Sequence, residues 1–199
     1  MVIKSITKPI IYKIVFMGDS GVGKSSIATR IACDTFSTFT DATIGASFFG
    51  KIIEKNEQLY KFNIWDTAGQ EKYSSLVPLY YRNCDAALIV YDITNLESYK
   101  KAIARIKELR ENSSVSSIII IGNKSDLDKE RTVTSREAKS YCDENDLLFM
   151  ETSAKNNINI HEILVTLIDK LPCPIKENIK LLQDFPMTDS YRLFNFNCC

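Results

Sequence analysis

Histidine is nearly absent from this 199-residue chain, with His161 the single example, and no two of its six cysteines stand at C-x-x-C spacing. A zinc site therefore lacks both of its usual ligand patterns. The cysteines are scattered at Cys33, Cys84, Cys142, Cys173, Cys198 and Cys199. An even count allows disulfides, but Met1 to Lys13 has no sustained apolar core of a secretory signal, so a reducing, cytosolic setting is expected. No apolar run is long enough to span a bilayer, and Val2 breaks the N-myristoylation pattern. Neither sign of charge is in excess, with Lys+Arg and Asp+Glu at 25 each, so no overall positive field makes nucleic acid the main partner. There is no internal repeat. The length does allow one domain with a substantial buried core.

Against these absences one stretch stands out, Ile14 to Ser26, which reads I-V-F-M-G-D-S-G-V-G-K-S-S. An apolar run suited to a buried strand passes through glycines into a lysine and two serines that open a helix. Gly18, Gly23, Lys24 and Ser25 fit G-x-x-x-x-G-K-[ST]. The glycines allow a tight turn and a close approach of backbone to ligand. Ser20, Gly21, Val22 and Gly23 then offer successive N–H groups, and Ser26 follows at the start of the helix, whose dipole is positive at that end. Lys24 supplies a full charge for β- and γ-phosphates, and the Ser25 hydroxyl suits Mg²⁺. The plain alternative is a glycine-rich strand-to-helix turn that binds nothing.

Taken in order, Ile10 to Met17 reads as a strand and Lys24 to Cys33 as a helix, followed by an exposed polar loop from Asp34 to Gly45. Ala46 to Glu54 and Gln58 to Asp66 form an expected hairpin, and Thr67 to Pro78 is irregular. Asp85 to Asp92 and Ser117 to Gly122, the latter with four successive isoleucines, suit parallel strands covered on both faces. Helical stretches run over Glu97 to Asn112, Thr134 to Asn145 and Asn159 to Leu171, with a short strand at Leu147 to Met150. Strands alternating with helices after one antiparallel pair predict a three-layer α/β sandwich with a mostly parallel sheet. Ligands of such sheets sit beyond the carboxyl ends of the strands, where every motif here falls.

Asp66 to Gln70, D-T-A-G-Q, follows a strand directly. The Asp66 carboxylate can hold Mg²⁺ through water, the Gly69 N–H can reach a γ-phosphate, and the neutral amide of Gln70 can orient an attacking water. Asn123, Lys124 and Asp126, in G-N-K-S-D, follow the isoleucine strand. A carboxylate at Asp126 accepts two hydrogen bonds at once, which suits the N1–H and exocyclic amine of guanine and leaves adenine unmatched. Such a site can discriminate by about 10⁴–10⁵. Thr152 to Lys155, T-S-A-K, adds Ser153, the Ala154 amide as a donor to the guanine carbonyl, and the Lys155 stem over the base. Singly, these are ordinary polar loops; their order after a phosphate-binding loop is what gives them meaning.

With these motifs the chain resembles the Ras superfamily of small GTPases over roughly Tyr12 to Leu171. Within it the chain is similar to the Rab family, through W-D-T-A-G-Q-E-K-Y-S-S-L-V-P-L-Y-Y-R from Trp65 to Arg82 and the terminal Cys198–Cys199. T-I-G-A-S-F from Thr43 to Phe48, Y-D-I-T from Tyr91 to Thr94, and N-K-S-D-L resemble the early-endosomal subgroup. The resemblance implies a P-loop NTPase (Ras-like) sandwich with a six-stranded sheet and one antiparallel edge strand. It implies Thr43 as the switch threonine that ligates Mg²⁺ alongside Ser25 and Asp66, Phe36 flanking guanine, and Ser37 and Thr38 near the ribose. Phe48, Trp65 and Tyr80, with Ile44 beside them, match an aromatic effector-docking triad, although Phe48 and Trp65 could instead be core residues. Ser20 stands where some relatives have glycine, so no bulky side chain obstructs hydrolysis there. His161 reads as a surface residue rather than a ligand.

No arginine is placed in cis to neutralise transition-state charge, so slow intrinsic GTP hydrolysis to GDP is expected, with a partner able to speed it by about 10³–10⁵. Partners implied by the resemblance are an exchange factor, a GTPase-activating protein, a GDP-dissociation inhibitor, a prenylation escort and trafficking effectors. The expected organisation is a GTPase domain over residues 1–171 and a tail over 172–199. The tail balances Lys176, Lys180 and Arg192 against Glu177, Asp184 and Asp189, so it has no polybasic patch, and it lacks a C-a-a-X box. Leu181, Leu182, Phe185, Leu193 and Phe196 are apolar positions there open to an escort or effector. Membrane attachment then rests on two prenyl chains at Cys198 and Cys199, each buried CH₂ contributing about 0.8 kcal/mol; the alternative is a pair of unmodified thiols. The expected protein is a switch on the cytoplasmic face of endosomal membranes that cycles with the cytosol. Its rivals are a nucleotide-dependent binding module with negligible hydrolysis, a Rab of another trafficking step, and a P-loop ATPase or kinase.

Overall fold

A computed structural model describes residues 8–38, 41–69 and 77–172. Gln70, Cys173, Cys198 and Cys199 lie outside them. The elements run β1 (Ile10–Met17), α1 (Lys24–Cys33), β2 (Ala46–Lys55), β3 (Gln58–Thr67), α2 (Val77–Tyr81), β4 (Ala86–Asp92), α3 (Leu96–Asn112), β5 (Ser117–Asn123), a 3₁₀ helix (Ser125–Glu130), α4 (Ser135–Glu144), β6 (Leu148–Glu151) and α5 (Ile160–Lys170). The six strands form one sheet in the order β2-β3-β1-β4-β5-β6. Only the β2–β3 pair is antiparallel, and β2 stands at the edge. Asn56 and Glu57 turn that hairpin with φ of 52° and 62°, the paired left-handed geometry that matches strand twist.

The central strands alternate their side chains between two cores, as a period of two requires. Leu88, Val90, Ile119 and Ile121 face one cluster with Ile27 and Ile31 of α1 and Ile163, Leu164 and Leu167 of α5. Ala87, Ile89, Tyr91 and Ile120 face the other, with Tyr99, Ala102 and Ile106 of α3 and Ala138 and Cys142 of α4. All of β4 is buried, and each large aliphatic side chain so covered contributes about 1.5–3 kcal/mol. This anchors the carboxyl ends of β1, β4 and β5 in one rigid edge. Among the described residues no helix is long and apolar enough to cross a membrane.

Helix starts differ in a way that bears on function. Asn95 caps α3 by accepting from the Ser98 N–H at 3.1 Å, and Thr134 caps α4 by accepting from the Glu137 N–H at 3.1 Å. In contrast, α1 begins after Gly23 at φ 96° with no side-chain cap. Its first N–H groups are thereby left for another acceptor. Two short elements have no counterpart in the sequence expectations, α2 and the 3₁₀ helix. Each is too short for a hydrophobic period to show, and Pro78 sits inside the first.

Candidate functional site

The carboxyl edge of the sheet opens into a cavity of about 410 Å³. Its wall is built from Ser20, Gly21, Gly23, Lys24, Ser25 and Ser26 after β1, Phe36, Ser37, Thr38 and Thr43 between α1 and β2, and Gly69 after β3. Asn123, Lys124 and Asp126 after β5, and Ala154 and Lys155 after β6, complete it. Asp41, Ala42 and Leu127 also line it, without having been singled out in the sequence.

At one end the backbone turns so tightly that a Cβ on Gly18 would lie 2.2 Å from the Val90 carbonyl oxygen. Lys24 is buried, and its Nζ donates to the Asp19 carbonyl at 2.7 Å. Burial lowers its pKa to about 8, against the opposing pull of Asp66 and Asp19. A phosphate facing Lys24 would restore the solvation that burial removes. Ser25 Oγ and Thr43 Oγ1 lie 2.8 Å apart, and Thr43 Oγ1 is 3.5 Å from Asp66 Oδ2. Asp66 is 1 % exposed. Burial raises its pKa, while bonds from Ser25 and Thr43 and the charge of Lys24 work against that rise.

The other oxygen of this carboxylate, Oδ1, is buried without a hydrogen-bond partner. Two hydroxyls and a carboxylate with an unused lone pair are hard oxygen donors of the kind Mg²⁺ prefers. No group of three or more His, Cys, Asp or Glu side chains suited to a metal occurs among the described residues. A cation here would thus complete its shell with water and substrate phosphates, as Mg²⁺ commonly does. The D-T-A-G backbone comes close as well: a Cβ on Gly69 would meet the Asp19 carbonyl oxygen and Lys24 Nζ at 2.5 Å.

The opposite end is a hydrogen-bonded frame. Asn123 is 1 % exposed; its Nδ2 donates to the Val22 carbonyl at 2.9 Å, and its Oδ1 accepts from Thr152 Oγ1 at 3.2 Å and the Ala154 N–H at 3.3 Å. One side chain so joins the phosphate loop, β5 and the turn after β6. Ser153 Oγ donates to Asp126 Oδ1 at 2.5 Å, and Lys155 Nζ stands 4.0 Å from Asp126 Oδ2. Lys124 Nζ pairs with Asp92 Oδ2 at 2.6 Å, and Asp92 Oδ1 accepts from the N–H and Oγ1 of Thr94 at 2.8 and 2.7 Å. The result is a carboxylate held at the rim of a base-sized slot, with Phe36 also in its wall.

A sequence model of the Ras family matches residues 13–173 of this chain. The chain belongs to the Ras family. It is therefore a small GTPase, a guanine-nucleotide switch that hydrolyses GTP. Ras-family proteins bind GTP and GDP, typically with Mg²⁺, and work with regulators.

Two residues expected in the nucleotide wall, Val22 and Ser153, are not among the residues that line the cavity. The Val22 side chain is 2 % exposed and belongs to the core cluster of Ile27 and Ile160, so only its backbone remains for a ligand. Ser153 lies behind the wall and holds Asp126. Asp92, at the end of β4 and in register with Asn123, holds Lys124, a role that only the strand pairing reveals. Phe48, Trp65 and Tyr80 form a row, with ring centroids 5.4 and 5.7 Å apart. Phe48 is 53 % exposed and Ile44 81 %, whereas Trp65 and Tyr80 pack partly against the α3-side core. His161 is exposed on α5. Among the described residues no arginine lines the cavity.

Proposed function

We propose that this Ras-family GTPase is of the Rab type and recruits effectors in vesicle-mediated transport on the endocytic side. The observation that carries the switch is the meeting of Ser25 Oγ, Thr43 Oγ1 and Asp66 within 3.5 Å at one end of the cavity. Thr43 belongs to the α1–β2 connection and Asp66 is the last residue but one of β3, so a single ligand contact there reaches two segments. Ser25, Thr43 and Asp66 would hold Mg²⁺, which would supply neutralisation of phosphate charge. Lys24 binds the β- and γ-phosphates, Gly69 offers its N–H to the γ-phosphate, and Asp126 accepts from the guanine N1–H and amine. Gln70 orients the water whose oxygen attacks the γ-phosphorus as the bond to the GDP oxygen breaks. Once that phosphoryl group leaves, Thr43 and Gly69 lose the partner that held their loops.

With no arginine among the described residues of the cavity wall, intrinsic turnover is slow, and an activating protein that inserts one speeds it by about 10³–10⁵. The exposed Ile44 and Phe48 beside Trp65 and Tyr80 support an effector-docking role. Residues 1–171 are the GTPase domain, and the tail anchors to endosomal membrane through prenylated Cys198 and Cys199, released by a GDP-dissociation inhibitor. Single-turnover hydrolysis of pre-bound GTP tests the chemistry: Gln70→Leu is expected to fall well below wild type, and equal rates would favour a binding module. Imaging the full chain beside one lacking the last two residues tests the anchor, because diffuse signal from both removes it.

A further inference from the structure

Arg30, near the end of α1, lines no part of the nucleotide cavity, yet it touches three segments that shape it. Its Nε donates to the Ala154 carbonyl at 3.0 Å and its Nη2 to the Lys155 carbonyl at 3.2 Å. Nη1 donates to the Asp34 carbonyl at 2.8 Å and lies 3.5 Å from Asp34 Oδ1. The guanidinium carbon stands 6.0 Å from the centroid of the Phe36 ring. Asp34 closes α1 in the left-handed region at φ 55°, and its carboxylate also accepts from Asn157 Nδ2 at 3.1 Å. The Arg30 side chain is only 14 % exposed; its bond to the Ala154 carbonyl is partly buried, while those to Lys155 and Asp34 are open to solvent.

Only a planar fork with several fixed donors can hold carbonyls from two loops at once; a lysine ammonium is a point charge on a flexible stem. Peptide geometry gives the arrangement a direction. With the Ala154 carbonyl turned onto Arg30, the Lys155 N–H lies trans to it across the same planar peptide and points the other way. Ala154 and Lys155 are in the cavity wall and Arg30 is behind it, so that N–H is aimed at the ligand side. The Ala154 N–H, in contrast, is already shared with Asn123 Oδ1.

We propose that Arg30 is a positioning residue for base recognition. One guanidinium locks the turn after β6 to the end of α1 and to Phe36, and so sets how well the site grips the carbonyl edge of the base. The inference rests on the guanine reading above. It assigns nucleotide retention to a side chain that never meets the nucleotide, while Asp126 is held by the Ser153 hydroxyl at the β6 end of the same turn, with Lys155 Nζ 4.0 Å away. Ser153, which supports Asp126, is fixed by backbone pairing with Ile158 at 3.1 and 3.0 Å.

The test compares full-length wild type, Arg30→Ala and Arg30→Lys against three diphosphates, with displacement of a fluorescent GDP as readout. GDP is the reference, 6-thioguanosine diphosphate weakens the carbonyl acceptor, and inosine diphosphate removes the amine that faces Asp126. Arg30→Ala is expected to release GDP about tenfold faster, the scale of a lost charge-assisted bond. Its preference for GDP over the thio analogue should shrink several-fold, while the preference over inosine diphosphate and the single-turnover hydrolysis of bound GTP stay within about twofold of wild type. Arg30→Lys should match it on the thio ratio, and supplies the same readout if Arg30→Ala does not fold. An unchanged thio ratio, with all three ligands weakened alike, overturns the proposal in favour of general loosening. So does a wild-type protein indifferent to the sulfur. A wild type that binds adenine nucleotides as well as guanine overturns the underlying reading instead.

Discussion

The two ends of the cavity are built on opposite plans. At the base end Asn123, Lys124, Asp126 and Ser153 each have a protein partner in place, and the buried Ser125 hydroxyl of that loop has none. At the phosphate end a buried Asp66 oxygen has none, Lys24 is pulled down to about 8 by burial, and α1 begins without a side-chain cap. Satisfied polar networks are rigid, whereas unsatisfied buried groups cost free energy until a ligand meets them. The base end thus selects a ligand by a shape that exists beforehand, and the phosphate end is completed by what it binds. A switch needs this asymmetry. Retention should not depend on nucleotide state, but loop order should.

The largest expected effect breaks the base end. Asp126→Asn should abolish guanine preference and favour xanthine nucleotides, a change of up to about 10⁴ measured as a ratio of affinities. Melting temperature should barely move, because the Ser153 bond has an acceptor in either side chain. At the phosphate end, Lys24→Met should weaken GDP and GTP about 10²-fold, from the loss of roughly 3 kcal/mol of charge-assisted bonding. Calorimetric titration would read this, and an unaffected GDP affinity would contradict the asymmetry. Gly69→Ala sharpens it further. A Cβ 2.5 Å from the Asp19 carbonyl oxygen and Lys24 Nζ should slow single-turnover hydrolysis of bound GTP by about tenfold or more, as packing strain must be relieved.

Smaller effects lie away from the cavity. Phe48→Ala removes an exposed ring whose edge contact with Trp65 is worth about 0.5–1.5 kcal/mol, so stability should change little while effector capture is lost. A separate effect, on stability and not on binding, appears only at alkaline pH. Burial pushes the Cys84 and Cys142 thiols up to about 12 from an ordinary value of 9.0. A raised native pKa means the stabilisation is fully present below pH 9 and is lost as pH rises toward 12. Denaturant midpoints should therefore hold to pH 9 and fall above it, and alkylation of native protein at pH 8 should spare both thiols.

Much of this was legible in the residues. The apolar runs Asp85 to Asp92 and Ser117 to Gly122 suited covered strands, and Thr134 offered a cap for the helix that became α4. The glycines and lysine of the first loop announced a phosphate seat because the backbone conformation there is available to few other residues. What escaped reading depended on neighbours distant in sequence. Val22 was expected as a backbone donor of the loop, and the sequence did not say that its side chain would join the core. Nothing about Arg30 distinguishes it from any helix arginine until Ala154 and Lys155, more than a hundred residues later, turn their carbonyls onto it.

By itself the amino-acid order determined the alternation of strands and helices, the antiparallel edge pair and the chemistry of each motif, since these follow from local periodicity and side-chain type. Tertiary structure alone decided which of those groups meet. It brought the Ser25, Thr43 and Asp66 oxygens together and left one of them unpartnered, joined Asp92 to Lys124, and set Arg30 behind the base wall. The physical reason is that a hydrogen bond carries no signature along the chain. It depends on distance and direction, which exist only once the sheet has placed its loops at a common edge.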